Sequence, residues 1–182
     1  MKKKYQKPAL VAKKINFNYF YSRNRSLDSM GFLNENFVAW SNSCVDTCFI
    51  PGSKVFMADG KNKNIEDVKN NEEVYSYNLT ANEFIKNKVV KVIEKTYDEG
   101  YLVINNTYKP TPNHPFWVNN KEWKRADEIM VGDNLLDYKD KAVKVKKIKK
   151  INGTYTVYNL HLEDKEHNFF VDKILVHNTV CD

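Results

Sequence analysis

Cysteine is scarce. The chain has three, Cys44, Cys48 and Cys181, a number that cannot close into a full disulfide set. Cys44-x-x-x-Cys48 offers two metal ligands, but no second pair stands at ligand spacing, so no metal site is expected. No apolar run approaches the roughly 18 residues that would span a membrane. The opening Met1-Lys-Lys-Lys, followed by Pro8–Ala12, has the outline of a signal peptide. Lys13-Lys14 cuts its apolar stretch after five residues, too short for the hydrophobic region of one. A cytoplasmic protein is expected. No internal repeat is visible either.

What is present is an ordinary soluble balance: 42% hydrophobic and 29% charged residues, which argues against wholesale disorder. With 182 residues, the chain is long enough for one well-buried core. The net charge of +6 is unevenly spread, because residues 1–47 carry eight Lys/Arg against three acids while residues 48–178 carry 21 against 19. The basic character therefore belongs to the leading segment and reads as a solvated tail; no nucleic-acid partner is expected. Lys139–Lys150 holds seven lysines but alternates them with Val and Ile, the pattern of a half-buried strand.

Residues 1–47 are rich in Asn, Ser, Lys and Tyr without sustained periodicity, and allow one short helix near Leu27–Phe37. At Cys48 the style changes to short β-branched and aromatic runs broken by Gly, Asn and Asp turns. Strands are expected at Lys54–Met57, Glu73–Tyr77, Phe84–Tyr97 (bent), Tyr101–Asn105, Phe116–Val118, Asn134–Tyr138, Ala142–Ile151, Tyr155–Leu162, Phe169–Val171 and Ile174–Val176. Asp59-Gly60, Asn119-Asn120 and Asn152-Gly153 are turn signals, and short helical turns fit Ile65–Val68 and Ala126–Met130. Many short strands with frequent turns predict an all-β domain.

The chemistry-bearing residues stand at the edges of that block. It begins at Cys48 and ends at Val176-His177-Asn178, followed by Thr179, so a thiol, a carboxamide and a hydroxyl flank it. Between them lies Thr111-Pro-Asn-His114-Pro, and His167 precedes His177 by ten residues. Each residue alone is unremarkable, since cysteine is often a small buried apolar side chain and histidines are frequent in cores and on surfaces. Their joint order at the boundaries of one composition block is what points to chemistry.

Cys48-Phe-Ile-Pro-Gly-Ser-Lys-Val55, Asp59-Gly60 and Ile65-Glu-Asp-Val68 together resemble the opening motif of inteins and Hint domains. Thr111-Pro-Asn-His114-Pro matches their Thr-x-x-His motif, and Trp123-Lys-Arg-Ala126 with Val131-Gly-Asp-Asn-Leu135 is similar to the stretch that follows it. Val157-Tyr-Asn-Leu160, His167-Asn-Phe-Phe170 and Val176-His-Asn178 resemble the closing motifs. The resemblance covers residues 48–178 and leaves 1–47 and 179–182 as flanks. It implies a flattened horseshoe of strands with pseudo-twofold symmetry and adjacent termini, and an autocatalytic reaction that needs neither cofactor nor partner, with the flanks as substrate in cis.

Splicing would join Thr47 to Thr179. An amide is a poor electrophile and a thiol of pKa about 8.5 is mostly protonated at neutral pH, so attack by Cys48 on the Thr47 carbonyl needs positioning and proton transfer. In the resemblance His114 gives a proton to the Cys48 nitrogen, and Thr111 orients it or polarises the carbonyl. Thr179 then takes the acyl group. Asn178 cyclises to cut before Thr179, with His177 and His167 hydrogen-bonding the carbonyl and shuttling the proton. Family members often carry Asp or Cys at the position of Asn159, a place linked to coordinating the two ends; Asn cannot act as a general base, which implies slow acyl transfer. Thr179 is also a weaker nucleophile than a thiol.

The alternative is a bacterial intein-like domain that releases its flanks without joining them. A third reading, an inactive β-scaffold, is opposed by the intact Cys48, His114, His177 and Asn178. A homing endonuclease has no room in the 35 residues of 119–153, and a sterol-transfer module would need a region after Asn178 that four residues do not supply. The flanks, 51 residues in this chain, have the look of a precursor peptide or of a disordered remnant.

Overall fold

The computed structural model describes residues 47–119 and 122–178; the helix expected near Leu27–Phe37, Cys44, Asn120, Thr179 and Cys181 lie outside the described residues. Thirteen strands are described: β1 (Lys54–Phe56), β2 (Asn62–Asn64), β3 (Glu73–Asn78), β4 (Glu83–Tyr97), β5 (Tyr101–Ile104), β6 (Pro115–Val118), β7 (Glu122–Arg125), β8 (Asn134–Leu136), β9 (Ala142–Lys144), β10 (Ile148–Ile151), β11 (Tyr155–Leu162), β12 (Asn168–Val171) and β13 (Ile174–His177). Single 3-10 turns occupy Ile65–Asp67 and Ala126–Glu128, where helical turns were expected. The architecture is all-β, as predicted.

The main sheet runs β2-β1-β12-β13-β6-β8-β9, with β7 on β6; β10 pairs β5, and β4 lies between β11 and β3. None of the three sheets closes, as a horseshoe requires. The long β4 spans two partners: Glu83–Lys88 pairs with β3, and Val89–Tyr97 with β11. Their inward faces feed one apolar cluster that includes Phe49, Val55, Ile65, Phe116, Leu135, Leu160, Phe169 and Val176.

The expected single strand at Ala142–Ile151 is two. Val145 interrupts it, fully buried and bonded to the Asp133 carbonyl at 2.7 Å, while Gly132 N–H donates to the Val145 carbonyl. Beyond it the Asn105 side chain accepts from the N–H groups of Lys146 and Lys147 and donates to the Lys144 carbonyl. Thus β9 stays on β8, and β10 crosses to β5. Strands β2 and β7 were not foreseen. Asn62-Lys-Asn64 has little β propensity and Glu122-Trp-Lys-Arg125 has only Trp123 in its favour, and hairpin pairing to β1 and β6 imposes their conformation.

A repeat that identity does not reveal is present in the geometry. The Ile65 N–H donates to the Ser53 carbonyl, and 61 positions later (65 to 126, 53 to 114) Ala126 N–H donates to the His114 carbonyl. Lys63 pairs with Glu72, and Lys124 with Asp133, each at the same offset. The bridge Met57↔Val74 corresponds to Val118↔Leu135. What repeats is a hairpin, a 3-10 turn and an ion pair, so the two halves share hydrogen bonds more than residues.

Candidate active site

Residues 47–50 enter the domain as an extended segment laid beside β11. Phe49 and Tyr158 exchange both N–H···O bonds at 2.8 Å, and on its other side Phe49 bridges Pro110. One residue back, Cys48 therefore lies opposite Thr111. The Cys48 N–H donates to the Thr111 hydroxyl at 2.9 Å, and the Thr111 N–H donates to the Cys48 carbonyl at 2.9 Å. The Thr111 hydroxyl also donates toward Asn113 Oδ1 at 2.9 Å. Cys48 is buried against Tyr97 and Val157, with Ile50 and Tyr155 alongside.

The carbonyl before Cys48 is held by a different residue. Asn159 Nδ2 donates to the Thr47 carbonyl at 2.5 Å and to the Thr47 hydroxyl at 3.1 Å, and the Leu160 N–H donates to Asn159 Oδ1 at 2.8 Å. That last bond fixes which amide atom is oxygen, because only an acceptor can face an N–H. The Thr111 hydroxyl is on the Cys48 amide nitrogen, and the donor on the Thr47 carbonyl is Asn159.

His114 stands where the chain turns from one end of the domain to the other. Strand β13 pairs with β6 at Val176↔Phe116, and carrying that antiparallel register on by two residues sets His114 opposite Asn178. The ring is wholly buried, packed 4.2 Å centroid to centroid on Phe49 and 5.8 Å from Phe116. Burial, with a smaller push from His177, holds its pKa down to about 3, while the main-chain groups of Thr47 and His177 oppose the shift. His114 is thus a neutral imidazole at pH 7, beside the main chain of both ends. Neither ring nitrogen has a hydrogen bond of good geometry among the described residues.

The departing end is tied by strand pairing. Asn168 opposes His177, and the Asn178 N–H donates to the His167 carbonyl at 2.8 Å. His177 Nδ1 lies 2.6 Å from the Asn178 carbonyl oxygen, so in the tautomer with Nδ1 protonated it donates to the bond that would break. Trp123 stands edge-on to the His177 ring at 5.1 Å, and the His167 ring lies 6.1 Å from it. Burial lowers the pKa of His177; the Asn178 main chain raises it and His167 lowers it further. Asn178 itself is buried, and its carboxamide nitrogen and oxygen have no hydrogen-bond partner among the described residues. A polar group left this way is costly unless it has work to do.

Cys48, Thr111, His114 and Asn159 are therefore brought together around the entering segment, and His167, His177 and Asn178 around the departing one, with His114 shared. Three residues were not singled out from the sequence: Asn113, Phe49 and Trp123. Asn113 sits inside the Thr-x-x-His motif, which was its signal. Phe49 and Trp123 sit inside the motif stretches beginning at Cys48 and at Trp123, and only the packing reveals that they face His114 and His177.

The family model described as the pretoxin HINT domain matches residues 52–179. Among solved structures, a bacterial intein-like domain from Clostridium thermocellum is 28% identical, covering 72% of this chain and 98% of that one at a TM-score of 0.66. A DnaB intein from Synechocystis sp. PCC 6803 is 24% identical, covering 74% of this chain and 99% of that one at 0.63. Comparison with curated proteins gives no match.

Proposed function

Because the chain belongs to the pretoxin HINT domain family, a self-processing fold, we propose that it splices autocatalytically, excising residues 48–178 and joining Thr47 to Thr179. The observation that carries this is His114, a neutral buried imidazole flanked by main-chain groups of both Thr47 and His177.

Cys48 Sγ attacks the Thr47 carbonyl carbon, the C–N bond breaks, and the thiol proton ends on the Cys48 nitrogen, leaving a thioester and an amine. A neutral imidazole suits that transfer, because one nitrogen accepts while the other donates. The Thr111 hydroxyl, already on the Cys48 N–H, holds the leaving nitrogen in place. The Thr179 hydroxyl next attacks the thioester, regenerating the Cys48 thiol and forming an ester. Asn178 Nδ2 then attacks its own carbonyl carbon, closing a succinimide and freeing the Thr179 amine. His177, 2.6 Å from that carbonyl oxygen, stabilises the charge that develops on it. The ester finally shifts to the Thr179 nitrogen as an amide. The reaction is single-turnover, cofactor-free and cytoplasmic on this reading.

A second reading, cleavage at one or both ends without joining, is favoured by the likeness to a bacterial intein-like domain. Incubating the purified chain and weighing its products separates the two. A joined 1–47/179–182 product supports splicing; separate flanks support release; an unchanged chain overturns both.

A further inference from the structure

The scissile carbonyl has been lifted out of the β ladder. Phe49 and Tyr158 exchange both main-chain hydrogen bonds, so in an unbroken antiparallel ladder the next such pair is Thr47 and Leu160. The Leu160 N–H would then donate to the Thr47 carbonyl. Instead the Asn159 carboxamide is interposed: its Oδ1 takes the Leu160 N–H at 2.8 Å, and its Nδ2 donates to the Thr47 carbonyl at 2.5 Å. The same Nδ2 reaches the Thr47 hydroxyl at 3.1 Å. Both Asn159 and Thr47 are buried, at 0% and 5% exposure, so neither bond competes with bulk water.

We propose that Asn159 is the oxyanion donor for cleavage at Thr47 and that, through its second contact, it selects a hydroxyl side chain at position 47. The inference rests on the self-processing reading and names what that reading left open: which group stabilises the carbonyl and what the domain reads on its substrate. Asn fits both demands, since one end of the carboxamide must accept from Leu160 while the other donates to Thr47. An ionised aspartate could meet the first demand and not the second. The donor is fixed by Leu160 before the reaction begins, so negative charge growing on the Thr47 oxygen meets an oriented N–H in a buried site, where such a contact is strongest. An isosteric valine at position 47 would leave the second Nδ2 hydrogen buried and unpaired.

The test uses the full chain with Asn178→Ala, which isolates the first step, and follows dithiothreitol-driven cleavage between Thr47 and Cys48 by mass spectrometry. Asn159→Ala should slow it by about a hundredfold, the usual loss for one oxyanion donor. Thr47→Ser should hold the parent rate within a few-fold, and Thr47→Val should slow it about tenfold. In the Asn159→Ala background, Thr47→Val should add nothing. An unchanged rate in Asn159→Ala, or an equal Thr47→Val penalty with and without Asn159, overturns the proposal. A parent chain that does not cleave overturns the self-processing reading instead. In that case the Thr47 carbonyl 13C resonance still decides on Asn159: it should move upfield in Asn159→Ala if the carboxamide polarises the carbonyl, and stay put if it does not.

Discussion

Thr111 and Cys48 hold each other by two hydrogen bonds, Cys48 N–H to the Thr111 hydroxyl and Thr111 N–H to the Cys48 carbonyl, both 2.9 Å. Three residues further on comes His114, which the Val176↔Phe116 register, carried on by two residues, sets opposite Asn178. The Thr-x-x-His spacing is therefore a bridge: one turn of chain carries a residue for each end of the 48–178 block. On the proposed reaction, this is how one motif serves both Cys48 and Asn178, which are 130 positions apart in sequence.

The two ends should separate in variants. Cys48→Ala removes the thiol that would form the thioester, so cleavage at Thr47 and ligation should disappear, with slow cleavage after Asn178 remaining. Asn178→Ala should do the reverse and leave a thioester that hydroxylamine or a thiol intercepts. Intact-mass spectrometry of each chain is the measurement, and equal loss of both cleavages in both variants would count against separate nucleophiles.

Trp123 should matter for one end alone. It stands perpendicular to His177 at 5.1 Å, while Cys48 packs on Tyr97 and Val157. Trp123→Leu keeps an apolar side chain but gives up the edge-on packing that orients the imidazole. Cleavage after Asn178 should slow by about tenfold, since small displacements at a reacting centre are expensive. Thiol-driven cleavage at Thr47 should change much less. Parallel loss at both ends would mean that Trp123 only supports the fold.

His114 gives the domain an acid limit. Its folded pKa is about 3 against an ordinary 6.5, so the unfolded chain takes up a proton as pH falls through 6.5 and the folded chain does not until about 3. Stability present above pH 6.5 is therefore lost as pH falls across that window, by roughly 1.4 kcal/mol per pH unit from this group. His177 is shifted in the same direction, so the measurement must subtract it. Urea unfolding of a Cys48→Ala/Asn178→Ala chain at pH 6, 5 and 4, with and without His114→Gln, isolates the contribution. The Gln chain should show the shallower decline.

Glycine 100 should be far less replaceable than Gly60. Both have positive φ, +76° and +84°, where an L side chain is strained. At Gly60 a Cβ meets nothing within 4 Å, whereas at Gly100 it would stand 2.0 Å from the Ile151 carbonyl oxygen. Gly60→Ala should cost about 1 kcal/mol. Gly100→Ala should cost about 3 kcal/mol or more, because backbone must move to admit it. Chemical denaturation in the cleavage-dead background reads both.

Much of the fold was legible because β-branched and aromatic runs such as those within Glu73–Asn78 and Tyr155–Leu162 stand between turn signals, which marks them as strands. Strands without that signal, such as Asn62–Asn64, exist only through their partners and could not be seen. The split at Val145 depended on a distant side chain, Asn105, and the 61-residue repeat on hydrogen bonds that tolerate substitution. In the candidate site, Cys48, Thr111, His114, His177 and Asn178 were singled out from type, order and resemblance, and the fold places them around the two ends of the domain. The role of Asn159 was not legible, since its meaning lies in which ladder bond it replaces.

Joining and release differ in what the small product contains, and the cysteines make that difference measurable. Before processing, Cys44 and Cys181 are 137 positions apart. If Thr47 is joined to Thr179 they become neighbours in Cys44-Val-Asp-Thr47-Thr179-Val-Cys181, with five residues between them. A loop that short closes as a disulfide at an entropic cost of roughly 3 kcal/mol or less, so mild oxidation should cyclise the spliced product. Release without joining leaves one cysteine on each fragment, and oxidation can then only link separate peptides. Tandem mass spectrometry should find the Thr47–Thr179 amide, and after oxidation a loss of two hydrogens within that single chain. Finding a free acid ending at Thr47 and a separate peptide beginning at Thr179 would sink splicing and leave the cleavage reading in its place.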